Sequence, residues 1–297
     1  MPVIELHNVI KDFGSLRALD RVTAAVQPGD IVGLIGPNGS GKTTLLRLLS
    51  GLTHPTAGTI RVLGSTPADW RVRQRIGIVA ADFPALGRQT AAETIRYVAR
   101  LRARPDWGRA ADLAGTLDLD LDRRVAHLST GNHQKLGIVL ALMHEPELIL
   151  LDEPTTGLDP VAQRTFRQLI FAEQRRGATI VLSSHVLSSV RTLATHLLAL
   201  NTGRVVAAGP VDSTMDATGR SVHVRFSGLE NEAAELTELL VDAIVRSGEG
   251  FVDVHGAFRG DPNGLIDVLS GLDVVDFVMQ EAKLEDLLMG LYEAEAR

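Results

Sequence analysis

The chain has no cysteine. That excludes a disulfide framework and any metal centre held by thiolates. Aromatic residues are scarce, 4% of 297, so a core has to be built from Leu, Val, Ile and Ala. Apolar residues of all kinds reach 45%, enough for that core. Positive charge is not in excess. The formal net charge is −6, which argues against a protein that coats nucleic acid. Long apolar runs are missing too. The stretch Leu136 to Met143 falls far short of the roughly 18 residues of a membrane-spanning helix. Met1-Pro2-Val3-Ile4-Glu5 lacks the basic and apolar regions of a signal peptide. The expectation is a cytosolic protein, or one peripheral to a membrane, of one large domain or two ordinary ones. No internal repeat or low-complexity tract is visible.

What is there is organised around Gly36-Pro37-Asn38-Gly39-Ser40-Gly41-Lys42-Thr43-Thr44. It fits the phosphate-loop pattern Gly-x-x-x-x-Gly-Lys-Thr. The apolar run Ile31–Ile35 before it reads as a buried strand, and the leucine-rich stretch from Thr43 to Leu49 after it reads as a helix. Glycines let the backbone curl until its N–H groups share one hollow, and the helix N-terminus adds to the pull on phosphate oxygens. Lys42 can reach the β- and γ-phosphates, and the Thr43 hydroxyl can ligate Mg²⁺. A Gly-rich turn that binds nothing would not need Lys42-Thr43 at this offset.

Strands are expected at Val3–Val9, Val22–Val26, Thr59–Leu63, Ile76–Ala80, Leu148–Leu151 and Thr179–Leu182. Phe13, beside the turn residue Gly14, could stack on a nucleobase or staple a sheet edge. From Ala91 to Arg104 and Arg109 to Leu117 the periodicity is helical. Pro105-Asp106-Trp107-Gly108 splits the two stretches, and their arginines read as a solvated face. A helix from Ser129, its N-cap, runs to about Met143, and another follows Pro160, a good first-turn residue. Asn201-Thr202-Gly203 reads as a hairpin turn. Near Pro210 to Gly219 the composition shifts, marking a boundary between a domain over 1–212, with a helical insert at about 82–145, and a small α/β domain over 213–297. Helix-like Glu232–Val245 and Asn263–Leu269 and strand-like Val222–Phe226, Phe251–Phe258 and Val274–Met279 fall in the latter, with a last helix from Lys283 to Glu295.

The apolar strand Leu148–Leu151 ends in Asp152-Glu153. Consecutive strand residues point to opposite sides, so the two carboxylates can do different work. Asp152 can hold Mg²⁺ through water, opposite Thr43, and Glu153 can polarise an attacking water as a general base.

Together these stretches resemble the ATP-binding subunit of ABC transporters over about residues 3–210. Gly36–Thr44 matches Walker A, Leu148–Asp152 with Glu153 matches Walker B and its glutamate, and Leu128-Ser129-Thr130-Gly131-Asn132 is similar to the signature motif Leu-Ser-Gly-Gly-Gln. Gly157-Leu158-Asp159 resembles the D-loop, His185 the switch histidine, and Phe13 the adenine-stacking aromatic. The resemblance implies a P-loop NTPase (RecA-like) α/β core with an antiparallel β edge and an α-helical insert. It implies an ATPase that uses ATP and Mg²⁺. Two subunits would sandwich ATP head to tail, with Ser129 and the N–H of Gly131 of one covering the γ-phosphate bound by the other. Glu153 would activate water and His185 sense the γ-phosphate. The partners implied are an integral-membrane permease on another chain and a second ATP-binding subunit, identical or related, at the cytoplasmic face of the membrane, with no nucleic acid.

Two departures stand out. The family normally has a Gln after the strand Ile76–Ala80, where this chain has Ala81-Asp82; altered hydrolysis or altered coupling is the expectation. In the signature, Thr130 and Asn132 replace Gly and Gln, and since Thr tolerates a left-handed backbone poorly, an ordinary helix start is expected. The ending Leu284-Glu285-Asp286-Leu287-Leu288 resembles that of ABC-2-type exporter ATPases for drugs, antibiotics or lipids. Two other readings are weighed. A soluble ABC ATPase acting on DNA would need a coiled-coil insertion for which Lys42 to Ser129 leaves no room, and one acting on ribosomes usually carries two cassettes. A weakly hydrolysing nucleotide-gated module is favoured by Ala81 and opposed by Glu153 and His185. Ser183-Ser184-His185 lacks the nucleophile elbow of a hydrolase.

Overall fold

The computed structural model describes residues 1–80, 88–102, 107–185, 187–216, 220–248 and 250–281. Its chain divides into two compact units, Met1–Ala208 and Gly209–Arg297.

In the first unit, β1 (Ile4–Phe13) and β2 (Leu16–Val26) form a hairpin, β3 (Ile31–Ile35) leads into α1 (Lys42–Leu49), and β4 (Ala57–Val62) follows. Next come α2 (Trp70–Gln74), β5 (Ile76–Val79), α3 (Ala91–Leu101), α4 (Trp107–Thr116) and α5 (Thr130–Leu142). The unit is completed by β6 (Leu148–Leu151), α6 (Pro160–Arg175), β7 (Thr179–Ser184), α7 (Leu187–Leu193), β8 (His196–Asn201) and β9 (Arg204–Pro210). One sheet is antiparallel, in the order β2-β1-β4; the other has six strands in the order β5-β6-β7-β3-β8-β9, parallel from β5 to β8. Parallel strands covered on both faces read as unbroken apolar runs, and β3 and β6 are buried at every residue. A single core joins the two sheets through α1: Leu6, Val9 and Leu19 pack in one cluster with Leu45, Leu48 and Leu49 and with Leu34 and Leu150.

The first two strands are longer than expected, and Phe13 stands at the hairpin tip. In the helical segment, α4 starts at Trp107, so Trp107-Gly108 belong to the helix rather than to the break; Pro105 and Asp106 lie outside the described residues. The indole holds its place under Arg96, whose guanidinium carbon is 4.3 Å from the ring centroid. Thr90 and Glu93 close a capping box at the start of α3. Arg96 and Arg100 are solvent-exposed, as expected, but two arginines are not. Arg109 bonds the Leu142 carbonyl and pairs with buried Glu173. Arg102 donates to the Ile76 carbonyl at 3.0 Å and to His144 Nε2 at 2.7 Å.

That last contact has a measurable consequence. Burial first, and the Arg102 cation second, lower the His144 pKa from 6.5 to about 4. The unfolded chain takes up this proton near the upper value and the folded chain near the lower one, so falling pH weakens the fold across that window. Between about pH 7 and pH 5 the loss from this residue is about 2 kcal/mol. Urea unfolding of the parent and of His144→Gln at both pH values should show that decrement in the parent and its absence in the variant. Equal decrements would clear His144 of the effect.

The second unit begins with α8 (Val211–Asp216) and then runs β10 (Arg220–Ser227), α9 (Ala234–Leu239), β11 (Leu240–Gly248), β12 (Phe251–Phe258), α10 (Pro262–Ser270) and β13 (Asp273–Glu281). From β10 onwards the order is β-α-β-β-α-β, and the antiparallel sheet order is β11-β12-β10-β13, a ferredoxin-like arrangement. Val222, Val224, Phe226, Val252 and Val254 alternate onto the face where Leu236 and Leu265 of the helices pack. The helix expected over Glu232–Val245 ends at Leu239. Residues 240–248 pair with β12 instead, with an irregularity between Val241 and Ile244 where Asp242 takes φ 53°. Three β-branched residues, Val241, Ile244 and Val245, gain a ladder partner there, which a short surface helix cannot supply. The ending Leu284–Leu288 and the helix expected around it lie outside the described residues.

Candidate active site

Parallel topology brings the C-terminal ends of β3, β6 and β7 to one edge, the edge where α/β sheets bind ligands. Each end carries one element of the site. The loop after β3 curls through positive φ at Gly36, Gly39 and Gly41. At Gly41 a Cβ would sit 2.6 Å from Leu19 Cδ2 and 2.7 Å from the Ala18 carbonyl oxygen, so only glycine lets the loop lie against β2. Lys42 is 7% exposed, and its ammonium donates to the carbonyls of Gly36 at 2.7 Å and Pro37 at 3.0 Å. Burial lowers its pKa, while the charges of Glu153 and Asp152 act in the opposite sense. Ser40 is buried, and its hydroxyl has no partner among the described residues.

Asp152, buried at the end of β6, is fixed from two sides. Its N–H donates to Val79 at 2.8 Å, and its Oδ1 accepts from the Ser183 hydroxyl at 2.6 Å. That same hydroxyl accepts from the Glu153 N–H at 2.9 Å. Glu153 adopts φ 48°, a left-handed conformation that is uncommon outside glycine and typical of positions held in place for a purpose. Its carboxylate accepts from His185 Nδ1, which is 2.9 Å from each oxygen. His185 Nδ1 therefore carries the proton.

Phe13, Arg17, Lys42, Thr43, Asp152 and Glu153 line one cleft of about 410 Å³, together with Asn38, Gly39, Gly41 and Thr44 among others. The Phe13 ring is half exposed, with the Lys11 ammonium 4.8 Å from its centroid. Arg17 was not singled out from sequence. It is held flat by Asp12, with Nε to Oδ1 at 2.9 Å and Nη2 to Oδ2 at 3.4 Å, and by Asp20.

The other predicted residues lie elsewhere in the unit. Ser129 caps α5, accepting from the Asn132 N–H at 3.3 Å. The helix starts at Thr130 with ordinary geometry, as expected of a threonine there. A Cβ on Gly131 would come within 2.5 Å of the Gly157 carbonyl oxygen, so the signature and D-loop segments touch through their backbones. Asp159 caps α6, accepting from Ala162 at 2.8 Å. Ser129, Gly131, Asn132 and Asp159 line a second cleft of about 500 Å³, with no residue in common with the first. Ala81 and Asp82 lie outside the described residues.

The donor set fits a hard cation. One hydroxyl, Thr43, and one carboxylate, Asp152, leave most coordination positions to phosphate and water, as Mg²⁺ prefers. No group of three or more His, Cys, Asp or Glu among the described residues could hold a metal by itself.

Residues 19–156 match the family described as ABC transporter. The bacitracin transport ATP-binding protein BcrA of Bacillus licheniformis is 32% identical over 299 residues, spanning 97% of each chain. The Nod factor export ATP-binding protein I of Cupriavidus metallidurans is 31% identical over 99% of each. Among solved structures, an ATP-binding subunit of an ABC transporter superposes with a TM-score of 0.68 at 30% identity, over 71% of this chain and 91% of that one. A dimeric cassette in a post-hydrolysis state with ADP and Pi gives 0.65 at 26%, over 70% and 98%. No helix among the described residues is long and apolar enough to cross a membrane. With the phosphate loop, the paired carboxylates and relatives that match it along nearly its whole length, the chain belongs to the ABC transporter family, as one of its ATP-binding, ATP-hydrolysing subunits.

Proposed function

We propose that this chain is half of a two-cassette ATPase that drives a separate membrane permease from the cytoplasmic face, exporting a drug, antibiotic or lipid-like molecule. The observation that carries the proposal is the separation of the two clefts. The first has the phosphate loop, Asp152 and Glu153. The second has a helix N-terminus, that of α5, with Ser129 and Gly131 beside it. A γ-phosphate in the first cleft of one chain needs the second cleft of another to cover it. ATP then becomes part of the interface and favours pairing by linkage.

In this reading the backbone of Gly36–Gly41 and the ammonium of Lys42 hold the phosphates, and Phe13 stacks on the base. Thr43 and, through water, Asp152 would hold Mg²⁺, which would supply positive charge to the phosphates. Glu153 orients and deprotonates the attacking water, and His185 fixes the Glu153 carboxylate and senses the γ-phosphate. Asp159 stands beside the signature, where it would meet the partner cassette. Catalysis is mostly positioning and electrostatics around a loose phosphoryl group. Export and the substrate class rest on relatives that match this chain over both of its units.

The test is to find what co-purifies from detergent-solubilised membranes with tagged Glu153→Gln chain in ATP. A polytopic membrane protein is the expected result. Ribosomes or nucleic acid without one would overturn the proposal.

A further inference from the structure

Among the described residues, the second unit's sheet has its helices on one face; the other face carries an ordered pattern. Cross-strand register sets Arg246 of β11 beside Asp253 of β12, Asp253 beside Arg225 of β10, and Arg225 beside Asp276 of β13. The row therefore reads plus, minus, plus, minus across the sheet, and Arg225 grips Asp253 at 2.9 and 3.1 Å. The next row reads Ile244, His255, His223, Val278. Its two ends are apolar and open to solvent, at 54% and 40% exposure. Single exposed apolar residues are ordinary on a surface; what sets this face apart is a charge row whose order is complementary to its own reverse, as an isologous contact requires.

We infer that this face pairs with the same face of a second copy of the chain. A two-fold axis lying in the interface and running along the strands exchanges β11 with β13 and β12 with β10. Arg246 then faces Asp276 of the second copy, and Asp253 faces its Arg225. The two reciprocal contacts follow by symmetry. Ile244 meets Val278 of the second copy in the next row. An axis across the strands fails: on the charge row it sets each charge against its own copy, and between the rows it sets the charges against Ile244, His255, His223 and Val278. Aligned sheets stack about 10 Å apart, a gap that an Arg and an Asp side chain together bridge. Four strands of about eight residues give a face of roughly 500 Å². Two such faces bury about 1,000 Å², the lower bound for a specific contact. The pairing is weak by itself, and it raises the effective concentration of one cassette near the other. It does not depend on ATP and stands apart from the cassette pairing proposed above.

Sedimentation equilibrium of the full chain without nucleotide tests it. The parent should dimerise reversibly in the micromolar range. Arg246→Asp and Asp276→Arg should each weaken that dimer by about 10-fold or more, since each places like charges face to face twice. Mixing the two variants in equal amounts should restore association, because the mixed pair is complementary at both positions. Each variant alone should keep the parent's affinity for a fluorescent ATP analogue, showing that it is folded and that its nucleotide site is untouched. A parent that stays monomeric, single variants that associate like the parent, or a mixture that does not recover would each overturn the inference.

Discussion

Glu153→Gln should lower ATP turnover by about 100- to 1,000-fold while ATP binding is retained. The glutamine keeps the size of the side chain, and its amide oxygen can still accept from His185 Nδ1, which now sits 2.9 Å from both carboxylate oxygens. What it loses is the basic oxygen that, in the proposed mechanism, would take a proton from water. The φ of 48° at this residue makes an alternative cause testable, because a side-chain change could also let the backbone relax. Glutamine and glutamate have similar backbone preferences, so relaxation should be small, and Glu153→Asp serves as the control. It keeps the charge but draws it back by one methylene, away from His185. If Glu153→Asp is nearly as slow as Glu153→Gln, position matters as much as basicity. If Glu153→Gln turns over within about threefold of the parent, Glu153 is not the general base. Retained ATP affinity, measured with a fluorescent nucleotide, separates a catalytic loss from a binding loss.

The legible parts of this molecule are the ends of buried parallel strands. Ile31–Ile35 and Leu148–Leu151 carry no polar side chain, Thr179–Leu182 has one only at its first residue, and the residues just after them, Gly36–Thr44, Asp152-Glu153 and His185, are the ones that converge. A parallel sheet sets its strand ends on one edge, so linear order is enough to predict the gathering. Asn201-Thr202-Gly203 is legible for a local reason: Thr202 and Gly203 adopt φ 43° and 80°, as a two-residue hairpin turn demands. The missed features depend on register or on distant partners. Arg102, at the end of α3, and Arg109, in α4, read as solvated because both stretches are amphipathic, yet their partners His144 and Glu173 come from elsewhere in the chain. Leu240–Val245 continues a helical pattern, and only the waiting edge of β12 makes it part of a strand.

Ser183 is the clearest case of a residue hidden by register. Its sequence neighbours invite a comparison with hydrolases, which fails. The structure gives it another task. β6 and β7 pair Leu151 with Leu182, so the next residues, Asp152 and Ser183, come side by side. The hydroxyl is wholly buried and both its roles are used, accepting from the Glu153 N–H and donating to Asp152. Ser183→Ala removes both contacts. The Glu153 N–H loses its partner, at a cost of about 1–3 kcal/mol if it stays dry, and the Asp152 carboxylate is freed to turn. Turnover should fall about 10-fold, by roughly the 1.4 kcal/mol that one misplaced contact is worth, and the Mg²⁺ concentration for half-maximal rate should rise. Ser183→Thr keeps the hydroxyl and should recover most of the rate. A change in packing alone would lower thermal stability without moving the Mg²⁺ dependence. Unchanged turnover and unchanged Mg²⁺ dependence in Ser183→Ala would remove Ser183 from the machinery and leave the left-handed turn at Glu153 to be held by the strand ends themselves.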